Sequence, residues 1–149
     1  MDIRSYRGTD EAAVVRLWTE CDLVRPWNDP RKDIQRKLTV QPELFLVGLV
    51  DGSIVATAMA GFDGHRGWVN YLAVAEGFRR RGLGRALMDR IEELLKALGC
   101  PKLNMQIRST NTAVLAFYEH LGYSRDQTVS LGKRLIPDDA AATKHLGQR

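Results

Sequence analysis

The run Arg79-Arg80-Arg81-Gly82-Leu83-Gly84-Arg85 carries the clearest chemistry in this 149-residue chain. Ahead of it, Tyr71-Leu72-Ala73-Val74 reads as an apolar strand; behind it, a helical pattern begins at the glycines. A strand that turns through such a loop into a helix leaves several backbone N–H groups unpaired and pointing one way. They sit at the positive end of the helix dipole, so a diphosphate satisfies both deficits. Gly82 and Gly84 let the backbone approach phosphate oxygens, and the three arginines supply charge-assisted contacts at the rim. The spacing is not the dinucleotide fingerprint Gly-x-Gly-x-x-Gly, and no Gly-Lys-Ser/Thr makes it a Walker loop. Taken alone, the run also reads as a solvated basic loop capping an ordinary helix.

A second block, Asn111-Thr-Ala-Val-Leu-Ala-Phe-Tyr118-Glu-His-Leu-Gly122-Tyr123, follows in the sequence. Together the two blocks resemble the signatures of the GCN5-related N-acetyltransferase (GNAT) superfamily. One is its acetyl-CoA loop Gln/Arg-x-x-Gly-x-Gly/Ala, met by Arg79, Gly82 and Gly84. In the other, an Asn opens a helix, a Tyr sits seven residues on, and Gly-Phe/Tyr closes it. The resemblance spans essentially residues 3–134. The segments Cys21-Asp-Leu-Val-Arg-Pro-Trp-Asn-Asp-Pro30, Gly64-His-Arg-Gly67 and Ser130-Leu-Gly-Lys-Arg-Leu135 are similar to the YpeA-like branch of bacterial acetyltransferases.

The resemblance implies an acetyl-CoA-dependent N-acetyltransferase that moves an acetyl group directly to a primary amine, of a small molecule or a protein, in a ternary complex. It implies that Leu72, Ala73 and Val74 hold the pantetheine arm through their backbone where the fourth and fifth strands part, with the Val74 N–H facing the thioester oxygen. Arg79, Arg80, Arg81, Gly82, Leu83, Gly84 and Arg85 then take the diphosphate, with Asn111 and Tyr118 as further cofactor contacts. Tyr118 suits the role of acid toward the leaving thiolate, since a phenol near pKa 10 lies close to a thiol near 8.5. It also shares a helical face with Val114, Phe117 and Leu121, so it reads equally as a packing residue; Asn111 doubles as a helix cap.

The general base has no clear candidate. Where the branch acting on protein N-termini carries a Glu five residues before the motif Asn, this chain has Gln106, and an amide takes no proton. Asp63, His65, Glu76 and a water relay are the substitutes, and His65 has the best-placed ordinary pKa. By family analogy the acceptor meets the segment 23–30, where Arg25, Trp27, Asn28 and Asp29 can build a partly aromatic, partly polar wall, and Trp27 and Asp29 join His65 as candidate substrate contacts; a packed Trp and a capping Asp explain that segment as well. A second reading keeps the loop and loses the chemistry: a catalytically silent acyl-CoA-binding module, supported by Gln106. A third, an RNA or DNA binder using Arg79 to Arg81, has no basic-aromatic platform behind it.

These groups need a scaffold, and the rest of the chain predicts one. Hydrophobic residues make up 44% and charged ones 27%, proportions of a soluble globular protein, and 149 residues suit one domain, 1–149. A formal charge of +4 is modest, and outside Arg79 to Arg81 bases and acids interleave, so no nucleic-acid partner is expected. No signal peptide and no run of about 18 apolar residues is present, which points to the cytoplasm and away from membranes. Cys21 and Cys100 lack ligand spacing, so no metal is expected.

The expected order begins with a strand over 3–6, a helix capped at Thr9, and a helix capped by Asp29 with Pro30 at its first position. Strands over 44–50 and 54–62 joined by Asp51-Gly52 form a hairpin, and a strand over 68–74 extends it into an antiparallel meander. A helix over 83–98, a parallel strand over 103–107, a helix over 111–121 and one or two closing strands over 123–134 complete an α/β (α+β) GNAT fold. That fold is a mixed, mostly antiparallel sheet of six to seven strands flanked by about four helices. Residues 137–149 read as a frayed tail, and the resemblance implies a homodimer through the final strands.

Overall fold

The computed structural model describes residues 1–138. Five strands form one sheet in sequence order: β1 Asp2–Ser5, β2 Phe45–Val50, β3 Ser53–Phe62, β4 Gly67–Val74 and β5 Leu103–Asn104. Neighbours pair antiparallel from β1 to β4, and β4 pairs parallel with β5. Four α-helices flank it: α1 Glu11–Glu20, α2 Pro30–Lys37, α3 Leu83–Ala97 and α4 Thr112–His120.

Local chemistry sets these elements. Asp51 and Gly52 sit at φ 50° and 78°, the two positive angles a tight β2–β3 hairpin requires. At the next turn the Asp63 carboxylate accepts the backbone N–H groups of His65 (2.8 Å) and Arg66 (2.7 Å), so this side chain organises the turn. Asp29 caps α2 by accepting from the Arg31 N–H at 2.9 Å, with Pro30 in the first turn.

Side chains alternate across the sheet, and two cores result. Ala56, Ala58 and Ala60 of β3 face α3, where Leu87, Met88, Ile91 and Leu95 form the buried stripe; Leu83 and Leu94 are only half-buried and Leu98 lies outside the helix, exposed. On the opposite face Phe45, Val47 and Met59 pack with Val14, Leu17 and Trp18 of α1 and Ile34 of α2. Small residues on β3 let α3 approach closely, which fixes where the loop at its N-terminus sits.

The described residues hold five strands, not six or seven. β5 pairs over only Gly67↔Leu103 and Trp68↔Asn104. Beyond it Gln106 reaches Ser130 through side chains alone, so a further strand has no edge to build on. Residues 123–134 accordingly form no ladder, and Val129 and Leu131 are exposed. Order also extends further than the sequence suggests. Asp138 is buried and tied to α2, so the segment from Pro137 is not frayed at its start; 139–149 lie outside the described residues. No described helix is long and apolar enough to cross a membrane.

Candidate active site

Two features stand out around β4: a loop rich in uncapped donors beyond its end and a cleft along its edge. Gly82 caps α3 in the left-handed region at φ 76°, a conformation that side chains resist. Ala86 N–H bonds to Gly82 O at 3.0 Å and starts the ladder, so the N–H groups of Leu83, Gly84 and Arg85 precede it and no side chain caps them. Gly84 is buried, and a Cβ there would stand 3.1 Å from the Phe117 ring, so the position brings α3 and α4 together. Arg80 takes φ 63°, and Arg81 lies over the Phe78 ring at 5.0 Å. Arg79 turns the other way: its Nε donates to Val74 O at 3.0 Å and its Nη2 lies 3.7 Å from Cys21 Sγ.

The register of β4 decides what its backbone offers. Ala75 donates to Val55 O at 2.8 Å, and Ala73 opposes Thr57. In an antiparallel ladder alternate residues face the partner, so Leu72 and Val74 direct their N–H and C=O groups away from β3. On that side β5 has already parted, since pairing ends at Asn104. The gap opens into a cleft of about 920 Å³. Leu72, Met105, Gln106, Ile107, Asn111 and Tyr118 line one part of it; Cys21, Trp27, Asn28, Asp33 and Lys37 line another.

A bulge shapes the floor. Between Thr57 and Met59 the β3–β4 register slips, and Tyr71 adopts φ 52°, a strained value for an aromatic residue. Its surroundings hold it there. The ring stacks on Trp18 with centroids 3.8 Å apart, Thr57 Oγ1 donates to Tyr71 O at 2.9 Å, and Trp18 Nε1 donates to Thr57 Oγ1 at 2.9 Å. The Tyr71 hydroxyl donates to Asp33 Oδ2 at 2.6 Å and accepts from Asn28 Nδ2 at 2.9 Å. Burial first, then the hydrogen bond to Asp33, pushes the Tyr71 pKa well above the usual phenol range.

The last described segment closes this wall. Arg134 donates to Trp27 O and to Asn28 Oδ1, while the Asp138 carboxylate accepts the Asp29 N–H at 2.6 Å and binds Arg36 and Arg134. Burial pushes the Asp138 pKa up, yet the Arg36 hydrogen bond, the Asp29 N–H and the charges of Arg36 and Arg134 prevail and hold it below the usual carboxylate range.

Tyr118 is 6% exposed, lines the cleft, and its hydroxyl has no hydrogen-bond partner among the described residues. Burial pushes its pKa well above the usual phenol range. Asn111 caps α4, accepting from Val114 N–H at 3.3 Å, and also lines the cleft. Of the candidate acceptor contacts, Trp27 lies on the cleft; Asp29, capping α2, and His65, exposed on the β3–β4 turn, lie outside its lining, as do Asp63 and Glu76. Arg25 and Asn28, expected with Trp27 in the polar wall of the segment 23–30, line it too, whereas Asp33, Lys37 and Tyr71 line it without having been marked by sequence reasoning. No group of three His, Cys, Asp or Glu side chains gathers among the described residues.

Comparison with known proteins agrees with this geometry. The family model "Acetyltransferase (GNAT) family" matches residues 12–123. Acetyltransferase YE1169 of Yersinia enterocolitica is 53% identical over 138 residues, 93% of this chain and 98% of its own. Among solved structures, Ard1 from Thermoplasma volcanium superposes with a TM-score of 0.72 at 27% identity, over 83% of this chain and 82% of that one. The aminoglycoside 6'-N-acetyltransferase AAC(6')-IG of Acinetobacter haemolyticus shares the fold, with a TM-score of 0.74 at 17% identity over 91% and 99%. With three quarters of its length matched by the family model and half its residues shared with a named acetyltransferase, the chain belongs to the acetyltransferase (GNAT) family and is an acyltransferase.

Proposed function

We propose that this enzyme transfers an acetyl group from acetyl-CoA directly to a primary amine held in the cleft between β4 and β5. The observation that carries the reading is Tyr118, a buried residue whose hydroxyl has no hydrogen-bond partner among the described residues, on the same cleft as Leu72, whose backbone groups face away from β3. The free N–H groups from Leu83 to Arg85, rimmed by Arg80 and Arg81, take the diphosphate. The Val74 N–H donates to the thioester oxygen as negative charge builds there. The amine nitrogen bonds to the acyl carbon and the C–S bond breaks. Tyr118, protonated at neutral pH as a phenol is, gives its proton to the departing sulfur; the proton released by the amine returns through water to Tyr118. Water fits that relay better than Asp63, His65 or Glu76, which lie off the cleft. The exposed Val129, Leu131, Leu135 and Ile136 support a homodimer through this last segment.

Gln106, a neutral amide on the cleft, favours a second reading, the silent acyl-CoA-binding module. Calorimetric titration of acetyl-CoA into the native protein and Gly82→Trp, with thiol release followed across an amine panel, separates the two. We expect tight binding lost in Gly82→Trp, and turnover reduced about 100-fold or more in Tyr118→Phe with acetyl-CoA affinity retained. Binding without turnover selects the silent module, and absence of binding overturns both.

A further inference from the structure

Charge on the acceptor side of the cleft is unevenly matched. Asp22 is engaged by Arg25, and the Asp33 carboxylate accepts from Tyr71, Asn28 and Arg36, which also binds Asp138. Two cations on the lining have no ion-pair partner among the described residues: Lys37 and Arg108. Arg108 is exposed, where water suffices. Lys37 is different, being 9% exposed at the end of α2 with its ammonium donating only to Ala60 O. The neighbouring Gln41 is already committed to both backbone groups of Phe62. Glu43 offsets part of the Lys37 charge from beyond ion-pair distance; a buried ammonium gains from a closer anionic partner, and Lys37 lines the cleft.

We propose that the acceptor is an amine bearing an anionic group, a carboxylate or a phosphate, and that Lys37 receives that group. The inference rests on the transferase reading above for the position of the amine. Ala60 opposes Val69 of β4, three residues before Leu72. With about 3.3 Å of rise per residue along β4 and about 4.8 Å between neighbouring strands, the anionic end lies at least roughly 10 Å from Leu72, where the proposed reaction places the thioester. An elongated amine with one negative end fits this distance and charge. A polycationic amine meets Lys37 and Arg108 with like charge and is disfavoured.

The test is an isosteric series: 8-aminooctanoate, 6-aminohexyl phosphate, octylamine and 1,8-diaminooctane, each titrated calorimetrically into the free and the CoA-loaded protein. The expected result is that one of the anionic amines binds at least about tenfold more tightly than octylamine and the diamine. The better of the two distinguishes carboxylate from phosphate. In Lys37→Met this preference disappears, while octylamine and CoA bind as before; in Arg108→Gln part of it remains. A series led by the diamine, a flat series, or no amine binding overturns the inference whether or not any variant folds. A preference that survives Lys37→Met removes Lys37 from it. Failure to bind CoA overturns the transferase reading instead, and the titrations into free protein still decide the charge preference.

Discussion

The Tyr71 backbone is held at φ 52° by the neighbours of its own side chain and carbonyl, and the hub of that support is a single hydroxyl. Thr57 is fully buried; its Oγ1 accepts from Trp18 and donates to Tyr71 O. Thr57→Val keeps the shape and removes both bonds, leaving a buried indole N–H unsatisfied. We expect a loss of about 1–3 kcal/mol, read in urea as a lower midpoint with an unchanged slope. At this scale the sequence was legible where a residue belongs to a contiguous pattern. Gly82, Asn111 and Tyr118 stand in short motifs, and each carries the geometry its motif suggests. Asn28 and Asp33 lie 5 positions apart, but Tyr71 joins them from 43 and 38 positions away, on the bulged strand β4. No residue type announces a tyrosine with positive φ. Lys37 escaped notice for a related reason: at the end of an amphipathic helix it reads as a solvated cation, and its burial depends on where Ala60 lies.

Elements are anchored by a few ion pairs, of which Arg4 with Asp10 is the best formed. Arg4 on β1 forks onto the Asp10 carboxylate before α1 at 2.7 and 3.0 Å, and Asp10 also accepts the Arg7 N–H at 2.8 Å. The hydrogen bonds from Arg4 lead in holding the Asp10 pKa below the usual carboxylate range, against an opposing push from burial. A carboxylate depressed in the folded state stabilises above its unfolded value, about 3.9, and loses that contribution as pH falls through the folded value. Asp10→Asn should therefore cost about 1.5–3 kcal/mol at pH 7 and much less near pH 2, so that melting curves of the two proteins converge on acidification. The hairpin, α2 and α3 were readable from caps, Asp-Gly turns and apolar spacing. β5 was not, because residues 103–107 have strand composition throughout while pairing stops at Asn104. Composition reports a residue's preference for a pleated surface; pairing also needs an available edge.

Over the whole molecule, one wall of the cleft is fastened by residues remote in sequence. Arg134 and Asp138 bind the α1–α2 connection and the start of α2, more than 100 positions away, whereas the loop at the start of α3 depends on β4, α3 and α4. Asp138→Ala should thus raise KM for the amine several-fold with little change in acetyl-CoA affinity, and hydrogen exchange should quicken across residues 27–36. The antiparallel meander, the parallel strand after the crossover helix and the flanking helices were legible from the alternation of strand and helix patterns. The clasp was not, because a Pro-Asp pair near the end of a polar segment carries no sign of burial. The clasp also sets a sequence of events during synthesis. On the function proposed above, the half that grips the donor can assemble once α4 has left the ribosome, but the half that selects the amine waits for Asp138, so a nascent chain would hold the donor before it could choose a recipient.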